Sequence, residues 1–288
     1  MRTWNGRPGS RPAIAYFSIW TLSNELFERG TTEASLTAIG EKVVVQAQRA
    51  LDEAALVTEV AQQGRNQLHG PLRLGVIHTV GPYLLPELIP ALKRRAPAMP
   101  LTIEESTTTK LDLLLKRGLL DVIIVALPHD EPGIVTGALY DEPFQVVVPR
   151  DHAWKKRRAV SPKELAGDTL LVLQAGHCFR DQVLNTCPEL SRPDREFMQG
   201  NSLETIRSMV ASGLGITVLP CSALAHRFRS DLIRAIPFEP PVPSRRIALA
   251  WRNSFARPKA IQALRASIHA LRIPCLTPLA GDPPPAIA

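Results

Sequence analysis

A chain of 288 residues with 45% apolar content can bury a substantial core, and it has room for one large or two moderate domains plus a smaller appendage. The longest near-continuous apolar stretch, Leu119 to Leu127, is interrupted by Asp121 and is far too short to span a bilayer, so no membrane segment is expected. A formal charge of +7 permits contact with a polyanion, but the clusters Lys93-Arg94-Arg95 and Lys155-Lys156-Arg157-Arg158 are separated, so charge alone gives nucleic-acid binding weak support.

Arg2 to Pro12 has neither helical periodicity nor an apolar core, and its prolines and glycines predict a disordered basic segment rather than a secretory signal. Leu36 to Gln63 then carries apolar residues at Leu36, Ile39, Val43, Ala47, Ala50, Ala54, Val57 and Ala61, a three-four spacing that predicts a long amphipathic helix. Its small-residue seam suits either a dimerising connector or a helix lying on its own domain. Beyond the turn at Gly70-Pro71, strand-like runs (Leu72 to Val80, Leu101 to Glu105, Val122 to Ala126) alternate with helical patterns (Leu84 to Arg95, Lys110 to Arg117), which predicts βαβ units and a mainly parallel sheet.

A second α/β unit follows, with strands at Phe144 to Val148, Leu170 to Leu173 and Ile216 to Leu219. Ser161-Pro162-Lys163-Glu164 reads as a capping box, and Asn201 with Glu204 is expected to cap a helix over Ser202 to Ser212. The strand Ile247 to Trp251 and the helix Pro258 to Leu271 return to the first unit. Two α/β lobes with crossing connections enclose a cleft, and ligands in such sheets bind beyond the carboxyl ends of the strands, after Ile77, Glu105 and Leu173.

The chemistry concentrates at Gly176 to Cys187. With 4 cysteines in the chain and no secretory signal, the compartment is expected to be reducing and cytoplasmic. A pair with eight residues between its members fits neither Cys-x-x-Cys nor a zinc pattern, which leaves a redox switch or two ordinary cysteines. Cys178 would sit near a helix N-terminus, where free N–H groups, with His177 or Arg180, favour a thiolate that peroxide oxidises to sulfenic acid; Cys187 would then resolve it as a disulfide. In one helix the two Cα atoms stand roughly 13 Å apart, whereas a disulfide needs less than about 7 Å, so bond formation must unwind the segment. Thr79 and Thr107 to Thr109 offer hydroxyls to a peroxide or anion, or else cap helices. Asp181 accepts a proton or complements the helix start, and Arg245 either reaches the thiolate or lies on the surface. Cys221 and Cys275 follow no pattern and are expected to be structural. No nucleotide, zincin or serine-hydrolase motif occurs, and no cofactor or metal is expected.

Four stretches carry a family resemblance: Leu26-Phe27-Glu28-Arg29 with Leu36 to Gly40; Pro71 to Pro86; Gly176 to Gln182 with Cys187; and Ser202 to Arg207 through Gly215 to Pro220. Over roughly residues 24 to 272 the chain resembles the LysR-type transcriptional regulators, and its cysteine segment resembles their hydrogen-peroxide-sensing branch. The resemblance implies a two-lobed periplasmic-binding-protein-like regulatory domain over 66–288. Subdomain I would take about 71–143 and 246–272, and subdomain II about 144–245. A dimerisation linker helix over 31–65 and an incomplete winged helix-turn-helix remnant over 1–30 would precede it.

The same resemblance implies Cys178 as the peroxidatic and Cys187 as the resolving cysteine of a reversible disulfide. Thr79, Thr108, His177, Asp181 and Arg245 would surround the peroxide. It further implies a non-enzymatic activator of antioxidant genes, acting as homodimer or homotetramer on promoter DNA, recruiting RNA polymerase and reset by glutaredoxin and glutathione. Two other readings remain open: a metabolite-responsive regulator of the same family, and a thiol peroxidase.

Overall fold

The computed structural model describes residue 26 and residues 36–63, 66–186 and 197–279. The first 25 residues, 27–35, and Cys187 with the segment after it lie outside the described residues, so the helix-turn-helix remnant and the resolving cysteine are not placed. The chain divides into two units, Met1–Glu59 and Val60–Ala288.

The first unit is dominated by helix α1 (Ala38–Gln63), which starts two residues later than the apolar spacing predicts. The Thr37 hydroxyl accepts the Gly40 N–H at 3.0 Å and so caps the helix start. On the predicted seam Ile39 is 57% exposed and Ala47, Ala50 and Ala54 are also exposed, so this face finds no cover within the chain among the described residues.

The second unit is built on a ten-stranded sheet in two halves. Strand β1 (Leu72–Ile77) pairs in parallel with β2 (Leu101–Ser106) and β3 (Val122–Ala126). Helices α2 (Gly81–Arg95) and α3 (Thr108–Lys116) make the crossovers. Every residue of β3 is buried, as expected of a strand covered on both faces. In β1, a Cβ at Gly75 would come within 2.8 Å of Leu111, Leu120 and Ile123, so only glycine lets α3 approach the strand.

Beyond β3 the sheet departs from the mainly parallel expectation. Strand β4 (Ile134–Pro149) is one 16-residue strand, where the sequence patterning predicts a strand only from Phe144. Its first half pairs antiparallel with a later strand, Ser244–Arg252, and its second half pairs antiparallel with Ile216–Pro220 and Ile233–Pro237. The half before Phe144 is hard to read because Gly137, Asp141 and Pro143 break the β-branched pattern.

In chain order the rest are β5 (Leu170–Leu173), α4 (Cys178–Thr186), β6 (Met198–Gly200), α5 (Leu203–Ala211), β7 (Ile216–Pro220), β8 (Ile233–Pro237), β9 (Ser244–Arg252), α6 (Pro258–His269) and β10 (Thr277–Pro278). The strand order is β2-β1-β3-β9-β4-β7-β5-β6. The capping box forms, with the Ser161 N–H donating to Glu164 Oε2 at 2.8 Å. At α5 the cap is Ser202, not Asn201: its hydroxyl accepts the Thr205 N–H at 3.1 Å. Glu204 is thereby left for another partner.

Two hydrophobic clusters match the two half-sheets. One lobe packs Leu74, Val76, Leu88, Leu111, Ile123 and Leu264, and the other packs Phe144, Val146, Leu171, Phe179, Ile206 and Val218. Strand β4 passes from one lobe to the other at Pro143, and the chain crosses back just before Ser244, where the Phe144 N–H donates to the Pro243 carbonyl at 2.8 Å. Tyr83, on a helix of the first lobe, buries its ring in the cluster of the second and donates its hydroxyl to Glu204 Oε1 at 2.9 Å. Burial first, then the Glu204 charge, pushes the Tyr83 phenol well above its ordinary value, so it remains a donor. Among the described residues no helix is long and apolar enough to cross a membrane.

Candidate functional site

The cysteine expected to react is the first residue of α4, at the seam between the lobes. Gly176 allows the chain to turn there, with φ at +96°. The Arg180 N–H donates back to the His177 carbonyl at 2.9 Å and starts the helix. Cys178 packs against the core of the first lobe, whereas its neighbour Phe179 is buried in the core of the second. The thiol is free and half-buried. It lies at the N-terminal end of α4.

Thr108, the first residue of α3, donates its hydroxyl to Cys178 Sγ across 3.7 Å. The threonine cluster after β2 therefore reaches across the lobe seam to the sulfur. Thr107, at the N-cap position of that helix, makes no side-chain cap bond.

His177 lies beside His78, with ring centroids 5.7 Å apart. Burial first, then the neighbouring imidazole of His78, hold its pKa below the usual histidine value. This shift disfavours the positive charge on His177 that the sequence reading offered, with Arg180, as support for a thiolate. His78, which the sequence does not single out, also approaches Glu105 Oε2, with its Nδ1 at 3.9 Å.

Arg245 is not a surface arginine; it is 3% exposed. Its Nε donates to Glu142 Oε2 at 2.8 Å, Nη1 to the Thr79 hydroxyl at 2.7 Å and Nη2 to the Thr79 carbonyl at 2.8 Å. The guanidinium also lies 5.0 Å from the centre of the Phe179 ring. Thr79 is thus fixed at the end of β1 by an arginine from β9, and its hydroxyl keeps a proton to donate. Glu142, at the β4 crossing and fully buried, is the residue that sequence reasoning missed. A pattern search gives no sign of it, because its partner stands 103 residues away.

Asp181 lies in the first turn of α4 with its carboxylate exposed, where it complements the helix start. Gln182, one turn on from Cys178, has a buried side-chain oxygen with no hydrogen-bond partner among the described residues. The structure therefore gathers Cys178, Thr108, His177, Thr79 and Arg245 around the lobe seam, and Asp181 stands at its edge. No group of three or more His, Cys, Asp or Glu residues is placed to hold a metal ion among the described residues.

A second thiol feature appears elsewhere. Cys221, in the turn after β7, and Cys275, between α6 and β10, are joined by a disulfide with Cα atoms 6.1 Å apart. No spacing rule finds a pair 54 residues apart.

Residues 65–272 match the family described as LysR substrate binding domain. A relative from Escherichia coli (strain K12), the DNA-binding transcriptional dual regulator OxyR, is 38% identical over 227 residues, covering 79% of this chain and 74% of the relative. Among solved structures, a reduced form of OxyR from Neisseria meningitidis superposes with a TM-score of 0.70 at 49% identity, covering 73% of this chain and all of the other. A cysteine mutant of Corynebacterium glutamicum OxyR described as H2O2-bound superposes with a TM-score of 0.68 at 30% identity, covering 87% and 81%.

Proposed function

The chain belongs to the LysR-type transcriptional regulators, as its substrate-binding domain and its OxyR relatives show, and from that premise we propose that it senses hydrogen peroxide through Cys178 and controls antioxidant genes. The single observation that carries this reading is the free, half-buried Cys178 thiol at the start of α4 with the Thr108 hydroxyl directed at its sulfur.

The Cys178 thiolate attacks one oxygen of H2O2 and the O–O bond breaks. The departing hydroxide takes a proton and leaves as water, and Cys178 becomes a sulfenic acid. The Cys187 thiolate then attacks the sulfenic sulfur, the S–O bond breaks, and a second water leaves as the disulfide forms. Thr108 supplies a hydroxyl donor at the sulfur, Thr79 is held at the end of β1 by Arg245, and His177 can accept a proton. Because α4 holds Cys178 as its first residue and ends at Thr186, closing a bond to residue 187 requires the helix to unwind. Such unwinding converts oxidation into a change of shape.

This reading carries the remaining functional assignments: a cytoplasmic regulator rather than an enzyme, with subdomain I at about 71–143 and 246–272 and subdomain II at about 144–245. It acts as a homodimer or homotetramer through α1, binds promoter DNA by the 1–30 segment or that of a paired subunit, engages RNA polymerase, and is reset by glutaredoxin and glutathione. The exposed apolar side chains of α1 support the oligomeric part.

The test treats the reduced protein with about one equivalent of H2O2, sufficient for one two-electron oxidation, alkylates the remaining thiols and maps disulfides by mass spectrometry. A rapid Cys178–Cys187 bond, absent in Cys178→Ser, is the expected result. Free thiols at both positions would instead move a metabolite in the interlobe cleft to the front, and sustained peroxide turnover would mark a thiol peroxidase.

A further inference from the structure

We propose that Cys221 and Cys275 are a second redox-active pair, whose thiol or disulfide state is transmitted to the Cys178 site through Glu142 and Arg245. The proposal rests on the peroxide-sensing reading only for its oxidant. Placement is the first argument. Cys221 follows a strand of the second lobe, and Cys275 precedes β10, which pairs with Tyr140 and Asp141 in the first-lobe half of β4. The bond therefore ties one lobe to the other near the strand crossings, where a change in lobe geometry is most easily produced or blocked.

Access is the second. Both cysteines line a cleft of about 1100 Å³, and Cys275 is half-buried rather than sealed in a core. Arg227, Arg229, Arg234 and Arg272 line the same cleft, with Glu87, which pairs with Arg227 at 3.1 Å, and Asp231 as the acidic residues among them. The excess of arginines attracts anionic thiols to the bond. A disulfide kept only as a staple has no need of an open cationic approach.

Connection is the third. The residue after Cys221 is Ser222, whose backbone N–H donates to Glu142 Oε1 at 3.1 Å. The other oxygen of Glu142 accepts from Arg245, which holds Thr79 and stacks over Phe179, the neighbour of Cys178. One peptide unit and a run of buried hydrogen bonds thus join the disulfide to the end of β1 and the start of α4. Glu142 is fully buried and charged, so it depends on both the Ser222 N–H and the Arg245 guanidinium. Release of the turn at Cys221 shifts the balance between them.

In the oxidation, two thiols lose two protons and two electrons as the S–S bond forms, and H2O2 accepts them, its O–O bond breaking to give two waters. In the reduction, two molecules of a monothiol such as glutathione supply two hydrogens, restore both thiols and leave as their own disulfide.

The test equilibrates the full chain in a series of glutathione and glutathione-disulfide buffers and counts both pairs by differential alkylation and mass spectrometry. Separately, the alkylation rate of Cys178 by iodoacetamide is measured with Cys221–Cys275 closed, with it opened, and in the C221S/C275S double variant. The pair is expected to pass from dithiol to disulfide within the series. The Cys178 alkylation rate is expected to differ by about threefold or more between closed and open forms, in line with ordinary coupling free energies, with the double variant matching the open form. A pair that stays closed, or stays open, across the series overturns the proposal, and so does an unchanged Cys178 rate. Because the readout is alkylation, inertness of Cys178 towards peroxide would sink the sensor reading and leave this result standing.

Discussion

The bond from Thr108 to Cys178 Sγ at 3.7 Å joins a helix start in one lobe to a helix start in the other. Thr108→Val keeps the shape and deletes the donor, and the rate of Cys178 oxidation should fall about tenfold, the equivalent of one hydrogen bond of ~1.4 kcal/mol. Stopped-flow kinetics with peroxide would read this, and an unchanged rate would reduce Thr108 to packing. At Arg245 the issue is burial of charge. Arg245→Met leaves the fully buried Glu142 carboxylate without its cation and should destabilise the protein by about 3–5 kcal/mol, whereas adding Glu142→Gln to the same chain should recover part of that loss. Urea denaturation of the two variants decides it. His177 binds a proton less readily folded than unfolded, so it makes the native state less stable as pH falls. The loss begins near the ordinary histidine value of about 6.5 and levels off below the lowered folded value. His177→Gln should flatten that part of a plot of Tm against pH. Cys178, His177, Thr79 and Thr108 were legible because a helix start or a strand end announces each of them in sequence. Arg245 was left open between the thiolate and the surface, and its partners were not legible, since only the folded chain brings β9 against β1 and β4.

Among the elements, the helices and the buried parallel strands follow directly from periodicity. Val122–Ala126 and Leu170–Leu173 have the bounds that their apolar runs predict. The first half of β4 was not legible, because a strand that crosses between two lobes changes its buried face and its partners along its length, and no single alternation describes it. The N-cap of α5 falls one residue later than expected: Asn201 and Ser202 are both good caps, and in the structure Ser202 takes the Thr205 N–H while Glu204 bonds Tyr83 across the seam. Helix α1 presents the opposite case, a clear pattern with no cover for its apolar face among the described residues. Its Ile39 is 57% exposed and Leu51 is 64% exposed. If this face dimerises, Ile39→Glu together with Ala50→Glu should weaken self-association by about tenfold or more, from the apolar burial lost and the charge introduced. Sedimentation velocity across a dilution series would show it, and an unchanged profile would place the dimer contact elsewhere.

For the whole molecule, the central question is how firmly two lobes with separate cores are held to one another. They share two strand crossings, the buried Arg245–Glu142 pair, the Tyr83 ring and its Glu204 bond, the Thr108–Cys178 bond and the Cys221–Cys275 disulfide, among others. The noncovalent links pass through few residues, so the lobes can change their relation without dismantling either core. The disulfide differs in kind, because it acts on the unfolded chain as well as the folded one. Closing a loop between residues 54 apart should stabilise the protein by about 4 kcal/mol through lost chain entropy. The C221S/C275S variant should therefore have an unfolding free energy lower than that of the oxidised parent by about that amount, read as a lower urea midpoint. Since neither cluster loses a large side chain, each lobe should keep its own packing. Near-ultraviolet circular dichroism in the absence of denaturant should be nearly unchanged, while the urea midpoint falls. A midpoint that does not move would mean that the lobes are already held in the unfolded ensemble or that the bond strains the native state. A loss of the native spectrum would mean that the bond is needed to assemble the lobes rather than to tie them.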